Sequence, residues 1–90
     1  MKEIFCIVRG RVQMVMFRDF VCRKARGFEL IGYVKNCPDG SVEVLAQGDE
    51  KLLHKYIALL NKGSLLSRVE KVEVQWREPS MNFGNFSIIF

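Results

Sequence analysis

The fold class this sequence predicts is α+β: an antiparallel sheet with two helices packed on one face. Three observations carry that prediction. The hydrophobic period alternates along the chain between the value of a strand and that of a helix. Turn and capping residues fall where the period changes. The resulting order, β-α-β-β-α-β with a short extra strand at the C-terminus, is one that the connection rules close into a single sandwich.

Each element has its own justification. Lys2 to Arg9 holds five consecutive apolar residues rich in β-formers, which read as a strand buried on both faces and ending at Gly10. From Phe17 the period lengthens. Phe17, Val21, Ala25 and Phe28 then mark one face of a helix that Phe20 widens, and the helix ends near Gly27–Glu29. Residues 30–36 form a second strand. Cys37-Pro38-Asp39-Gly40 is a turn, with Pro at its second position and Gly at its fourth. Residues 41–47 alternate with Val42, Val44 and Ala46 on one side, so they form a third strand and complete a hairpin with Asn36 at its mouth.

Asp49 is the N-cap of a second helix, whose inner face carries Leu52, Leu53, Tyr56, Ile57 and Leu60. Gly63 and its neighbours stop it. Arg68 to Arg77 alternates as a half-exposed strand, Pro79 to Gly84 is loop, and Phe86, Ile88 and Phe90 alternate in a last short strand. The whole is a ferredoxin-like α/β sandwich formed by one domain over residues 1–90.

Composition narrows the function. Apolar residues make up 49% of the chain, too many for a disordered one. The net charge of +4 is concentrated: residues 9–35 hold seven basic side chains against Asp19 and Glu29. Such a field favours anionic ligands, whether small phosphates or nucleic acid. Three scattered cysteines, no CxxC and one histidine argue against a disulfide framework or a zinc site. With no apolar run of membrane-spanning length, the expectation is a cytoplasmic protein with reduced thiols and no membrane contact.

The stretch Gly10 to Arg18 concentrates the question. It joins a strand to a helix, is basic, and offers no Ser, Thr, Asp or Asn to cap the helix it opens. A helix start leaves backbone N–H groups unpartnered and carries partial positive charge, to which Arg9, Arg11 and Arg18 add. Two readings fit: an anion site with phosphate as its ligand, or a solvated basic turn. Rival uses of the fold fare worse. RNA binding needs aromatic residues on the central strands, and the third strand has none. Metal transfer needs a CxxC in the first loop, which holds no Cys.

At these residues the chain resembles the acylphosphatase family. The family's first signature, Gly-x-Val-Gln-Gly-Val-x-Phe-Arg, is matched at Gly10, Val12, Gln13, Val15, Phe17 and Arg18. Its second, Gly-Trp/Tyr-Val-x-Asn before a Gly-containing turn, is matched at Gly32-Tyr33-Val34-Lys35-Asn36 and Asp39-Gly40. The closing Phe-x-Ile-x-aromatic is matched at Phe86 to Phe90. The resemblance implies hydrolysis of acyl phosphates to carboxylate and inorganic phosphate by a monomeric enzyme, without metal, cofactor, covalent intermediate or nucleic acid. It implies that Arg18 is the phosphate-binding catalytic arginine and Asn36 the residue that orients water. It also implies that Gln13, Met14, Val15, Met16, Phe17 and Arg18 form the phosphate-binding loop. The chemistry agrees: arginine grips two phosphate oxygens with a permanent charge, and Asn both accepts and donates.

Two positions depart from the family. Met14 stands where the family has a glycine, so either a methionine bears a left-handed backbone or the loop takes another shape and loses an amide donor. The second outcome defines the alternative function, a catalytically impaired phosphate- or protein-binding module. Glu29 replaces the glycine that ends the first helix, and Gly27 is expected to take over that stop. Of the remaining candidates, His54 reads as a surface residue, Cys6 as core and Cys22 as a structural thiol. Met14 and Met16 are placed to cover the pocket mouth.

Overall fold

A computed structural model describes residues 1–90. The elements are β1 (Lys2–Arg11), α1 (Phe17–Gly27), β2 (Ile31–Asn36), β3 (Val42–Gly48), α2 (Glu50–Lys62), β4 (Arg68–Arg77) and β5 (Phe86–Ile89). They form one five-stranded sheet in the order β4-β1-β3-β2-β5. The expected ferredoxin-like sandwich is the observed fold, with one difference in the sheet. The four long strands pair antiparallel, whereas β5 runs parallel to β2, from Gly32 opposite Phe86 to Lys35 opposite Ile89. The sheet is therefore mixed.

The core lies between the sheet and the two helices. Ile4, Cys6 and Val8 of β1, Val34 of β2, and Val42, Val44 and Ala46 of β3 face Phe17, Val21 and Ala25 of α1 and Leu53, Tyr56 and Leu60 of α2. Burying an aliphatic side chain of this size contributes about 1.5–3 kcal/mol. The Tyr56 hydroxyl donates to the Val21 carbonyl at 2.9 Å, which joins the two helices and satisfies a buried polar group.

Residues Phe5 and Ile7 point to the opposite face and are only half-buried, so β1 is not covered on both sides as its apolar run implied. No helix lies there. The loop before β5 covers part of that face: the Met81 carbonyl accepts from Gln47, and the Phe83 ring packs on Tyr33. Beneath it Glu3 is fully buried. Burial pushes its carboxyl pKa up, but donors from Gln47 and Ser80 and the adjacent Arg77 outweigh that and hold it below the usual range. Arg77 Nε lies 2.6 Å from Glu3 Oε2 without a well-aligned N–H, so the contact is ionic.

Local chemistry explains most boundaries. Asp49 caps α2 by accepting from the Lys51 N–H at 2.8 Å. The hairpin turn closes with Gly40 N–H donating to the Cys37 carbonyl at 3.1 Å. One boundary and one helix closure differ from expectation. Gly10 does not end β1. It sits where the β1–β4 register shifts, with φ of 129°, and a Cβ there would collide with the Arg68 carbonyl. The last helical residue of α1 is Gly27, within the expected range, but Gly27 does not supply the left-handed closure. Leu30 N–H donates to Ala25 and Glu29 N–H to Arg26, the closure in which the residue before Leu30 must be left-handed, and Glu29 takes it with φ of 58°. An exposed glutamate in that conformation is strained. Glu29→Gly is expected to raise stability by about 1 kcal/mol, a gain that equilibrium urea unfolding measures directly.

Candidate active site

The connection from β1 to α1 is shaped by its backbone. Val12 is buried and fixes its start. Met14 and Met16 both adopt left-handed conformations, each with φ of 61°, while Val15 between them keeps negative φ and packs against the core. Of the two routes open to Met14, the strain is the one taken. The loop holds the bend that a glycine would supply, at about 1–2 kcal/mol for each left-handed residue. Alternation of this kind aims successive N–H groups toward one side, an anion-binding concavity. The N–H groups of Gln13 through Asp19 donate to no backbone or side-chain acceptor in the protein. Met16 is the N-cap of α1 and gives it no side-chain cap, so the partial positive charge of the helix start is left without a side-chain acceptor.

Arg18 and Asn36, 18 positions apart in sequence, line one cleft of about 480 Å³ together with Met14, Met16 and Phe17 of the loop. The Arg18 guanidinium makes no ion pair with any carboxylate. It lies 4.9 Å from the centroid of the Phe90 ring, which holds its plane by cation–π attraction. The neighbouring Asp19 is taken up by Arg23 at 2.9 Å, one helical turn on, which lowers its repulsion of an anion in the cleft. Asn36 Oδ1 is buried with no hydrogen-bond partner. A buried acceptor without a donor costs about 1–3 kcal/mol, which makes Asn36 the residue of the cleft with an unmet hydrogen-bonding need.

The remaining candidates separate. The Gln13 side chain does not enter the cleft. Its amide nitrogen donates to the carbonyls of Cys37 and Ser41, each at 2.8 Å, and so clamps the loop onto the β2–β3 hairpin. Val15 faces away from the cleft toward the core. Arg9 contributes no free charge to the site, contrary to the sequence reading. It pairs with Glu73 at 2.6 Å and Asp39 at 3.1 Å. Asp39 also accepts from Ser41 through side chain and backbone, and with Arg9 beside it its carboxyl is lowered to about 2. Arg11 is exposed and lies opposite Arg68. His54 is exposed beside Glu50 and Trp76. Cys22 is buried, and burial pushes the Cys6 thiol up to about 12, so neither is a nucleophile. No three His, Cys, Asp or Glu side chains converge into a metal-binding group. Sequence reasoning missed two residues of the site, Gln13 as a clamp and Phe90 as the shelf for Arg18. Their partners lie 24 and more residues away in the chain.

The profile of one protein family, Acylphosphatase, matches residues 4–88. The chain belongs to the acylphosphatase family. An acylphosphatase of Thermus thermophilus is 46% identical over 80 residues, covering 89% of this chain and 91% of that one. The crystal structure of the Bacillus subtilis acylphosphatase superposes with a TM-score of 0.96 at 39% identity and full coverage of both chains. The structure of an acylphosphatase from Coxiella burnetii gives 0.92 at 30% identity, covering 98% of this chain and 92% of that one. Membership makes the protein a hydrolase, and in this acylphosphatase fold the loop and the hairpin meet through Gln13.

That clamp is testable. A carboxylate at position 13 would turn an acceptor toward two carbonyls. Gln13→Glu should therefore destabilise more than Gln13→Ala, whose loss of two hydrogen bonds costs about 1–2 kcal/mol. Urea unfolding of the two variants gives the order directly.

Proposed function

We propose that the amides of residues 13–18 and the Arg18 guanidinium hold the phosphoryl group of an acyl phosphate while Asn36 Oδ1 accepts from the attacking water. The reaction of the family is hydrolysis of the carboxyl–phosphate bond to carboxylate and inorganic phosphate. The water oxygen bonds to phosphorus as the bond from phosphorus to the carboxylate oxygen breaks. The electron pair leaves with the carboxylate, and the water's proton passes to solvent. A carboxylate leaves readily, so no strong acid or base is required. Positioning and charge neutralisation do the work. The observation that carries this reading is the meeting in one cleft of Arg18 without an ion pair, the partnerless Asn36 acceptor, and loop residues Met14, Met16 and Phe17, whose N–H groups donate to nothing in the protein.

Several companion properties belong to the same proposal. Arg18 and the amides supply the positive charge that phosphate needs, in support of a metal-independent reaction. Loop, arginine and asparagine all come from one chain, so a monomer suffices. Three free cysteines support a reducing, cytoplasmic setting, and no helix is long and apolar enough to cross a membrane. The reading of an impaired binding module is not favoured, because Met14 bears the left-handed bend instead of closing the loop.

Phosphate release from acetyl and benzoyl phosphate tests the assignment. Arg18→Ala and Asn36→Ala should each lower kcat/KM by about 10²–10³, and Arg18→Lys should not restore the activity because an ammonium lacks the fork. Met14→Gly should be about 1 kcal/mol more stable with kcat within a few-fold of the parent. Unchanged turnover in Arg18→Ala would refute the placement of the site.

A further inference from the structure

We infer that this acylphosphatase has a second subsite, a groove for a long apolar acyl group, so that its preferred substrates are acyl phosphates with extended aliphatic chains. The inference rests on the phosphate placement proposed above. The groove, about 410 Å³, lies beside the phosphate cleft between α1 and the segment joining α2 to β4, with Val15, Met16, Phe20, Leu59, Leu65 and Leu66 as its apolar lining. Its size is within the range of about 300–1,000 Å³ that holds small ligands. Met16 and Asp19 line both groove and cleft, so the two adjoin along these residues.

Three features point to an acyl chain as the occupant. The apolar side chains here are turned to solvent at a cost: Leu65 is 98% exposed, Met16 70% and Leu66 60%. Clusters of this kind on a small protein mark a binding surface. Next, the groove joins the cleft at Met16 and Asp19 and does not include Asn36. In-line displacement sends the leaving carboxylate away from the water that Asn36 holds, and so away from that edge of the cleft. Finally, Met14 and Met16 line the cleft with exposed side chains, and Met16 also lines the groove, so a flexible apolar side chain stands where the two adjoin.

The experiment compares acetyl and octanoyl phosphate, which carry leaving groups of nearly equal acidity, below micelle-forming concentrations. It uses the parent protein and the double variant Leu65→Ser/Leu66→Ser. Both leucines are exposed and neither lines the cleft that holds Arg18 and Asn36, so the fold and the acetyl phosphate constants should be unchanged. Each buried methylene is worth a factor of about three to four, so octanoyl phosphate should show a KM at least about tenfold lower with kcat similar. The double variant should lose most of that difference. Calorimetry with the non-hydrolysable acetylphosphonate and octanoylphosphonate repeats the comparison without turnover. A chain-length preference in binding with no hydrolysis supports the groove and removes the catalytic assignment. Hydrolysis with no chain-length preference, or a preference that the double variant keeps, overturns the groove and leaves the catalytic assignment standing. Concentration-dependent dimerisation that the double variant abolishes, with no chain-length preference, also overturns it and gives the groove to a second copy of the chain.

Discussion

The side-chain amide of Gln13 donates to two carbonyls of the β2–β3 hairpin, and the site's geometry depends on this contact. Arg18 rides on the first turn of α1, while Asn36 ends β2, a different strand reached through a different connection. The sheet fixes β1 and β2 only through β3, which lies between them. Gln13 adds a direct tie from the loop to the hairpin mouth, one residue beyond Asn36. The loop amides and Arg18, which we propose face phosphate, and the Asn36 acceptor, which we propose faces water, are thereby held in one frame. That preorganisation matters most where the chemistry consists of placing a water against phosphorus.

The same tie explains how two methionines persist in a backbone conformation that costs each of them about 1–2 kcal/mol. Strain of this kind survives only where the surroundings over-determine it. Here Val12 is buried before the bend, Gln13 is clamped, Val15 packs inward and Phe17 is buried behind it. The loop is anchored at alternate residues, and Met14 and Met16 are left to turn outward. Both side chains line the cleft. Charge is apportioned with similar economy. Arg9 is spent on Glu73 and Asp39 and holds the hairpin turn to β4, while Arg18 keeps its charge for a ligand and rests its plane on Phe90.

Much of this was legible in the sequence because it is local. Hydrophobic periods, the Asp49 cap and the Pro38–Gly40 turn each depend on near neighbours, and they fix the element order. The resemblance of Gly10–Arg18 and Gly32–Asn36 to family signatures picks out the residues that the fold brings into one cleft. What was not legible depends on distant partners. The direction of β5 is set by the loop before it, which crosses the open face, and four residues of alternating pattern carry no sign of parallel or antiparallel pairing. Glu29 is left-handed because Leu30 bonds back to Ala25, although a glycine stood two residues earlier. Arg9 and Arg18 look alike as basic residues near a loop. Only the carboxylates 30 and 64 residues away from Arg9 separate them.

On the proposed mechanism the strained, clamped loop is an anion cradle completed by Arg18. Titration of inorganic phosphate into the ¹⁵N-labelled protein, followed by amide chemical shifts, tests it most directly. An anion cradle predicts saturable shifts at the amides of Gln13 through Asp19 and at Arg18 Nε, with the loop-amide shifts lost in Arg18→Ala. Saturable shifts confined to another surface, with the loop amides unmoved, would contradict it.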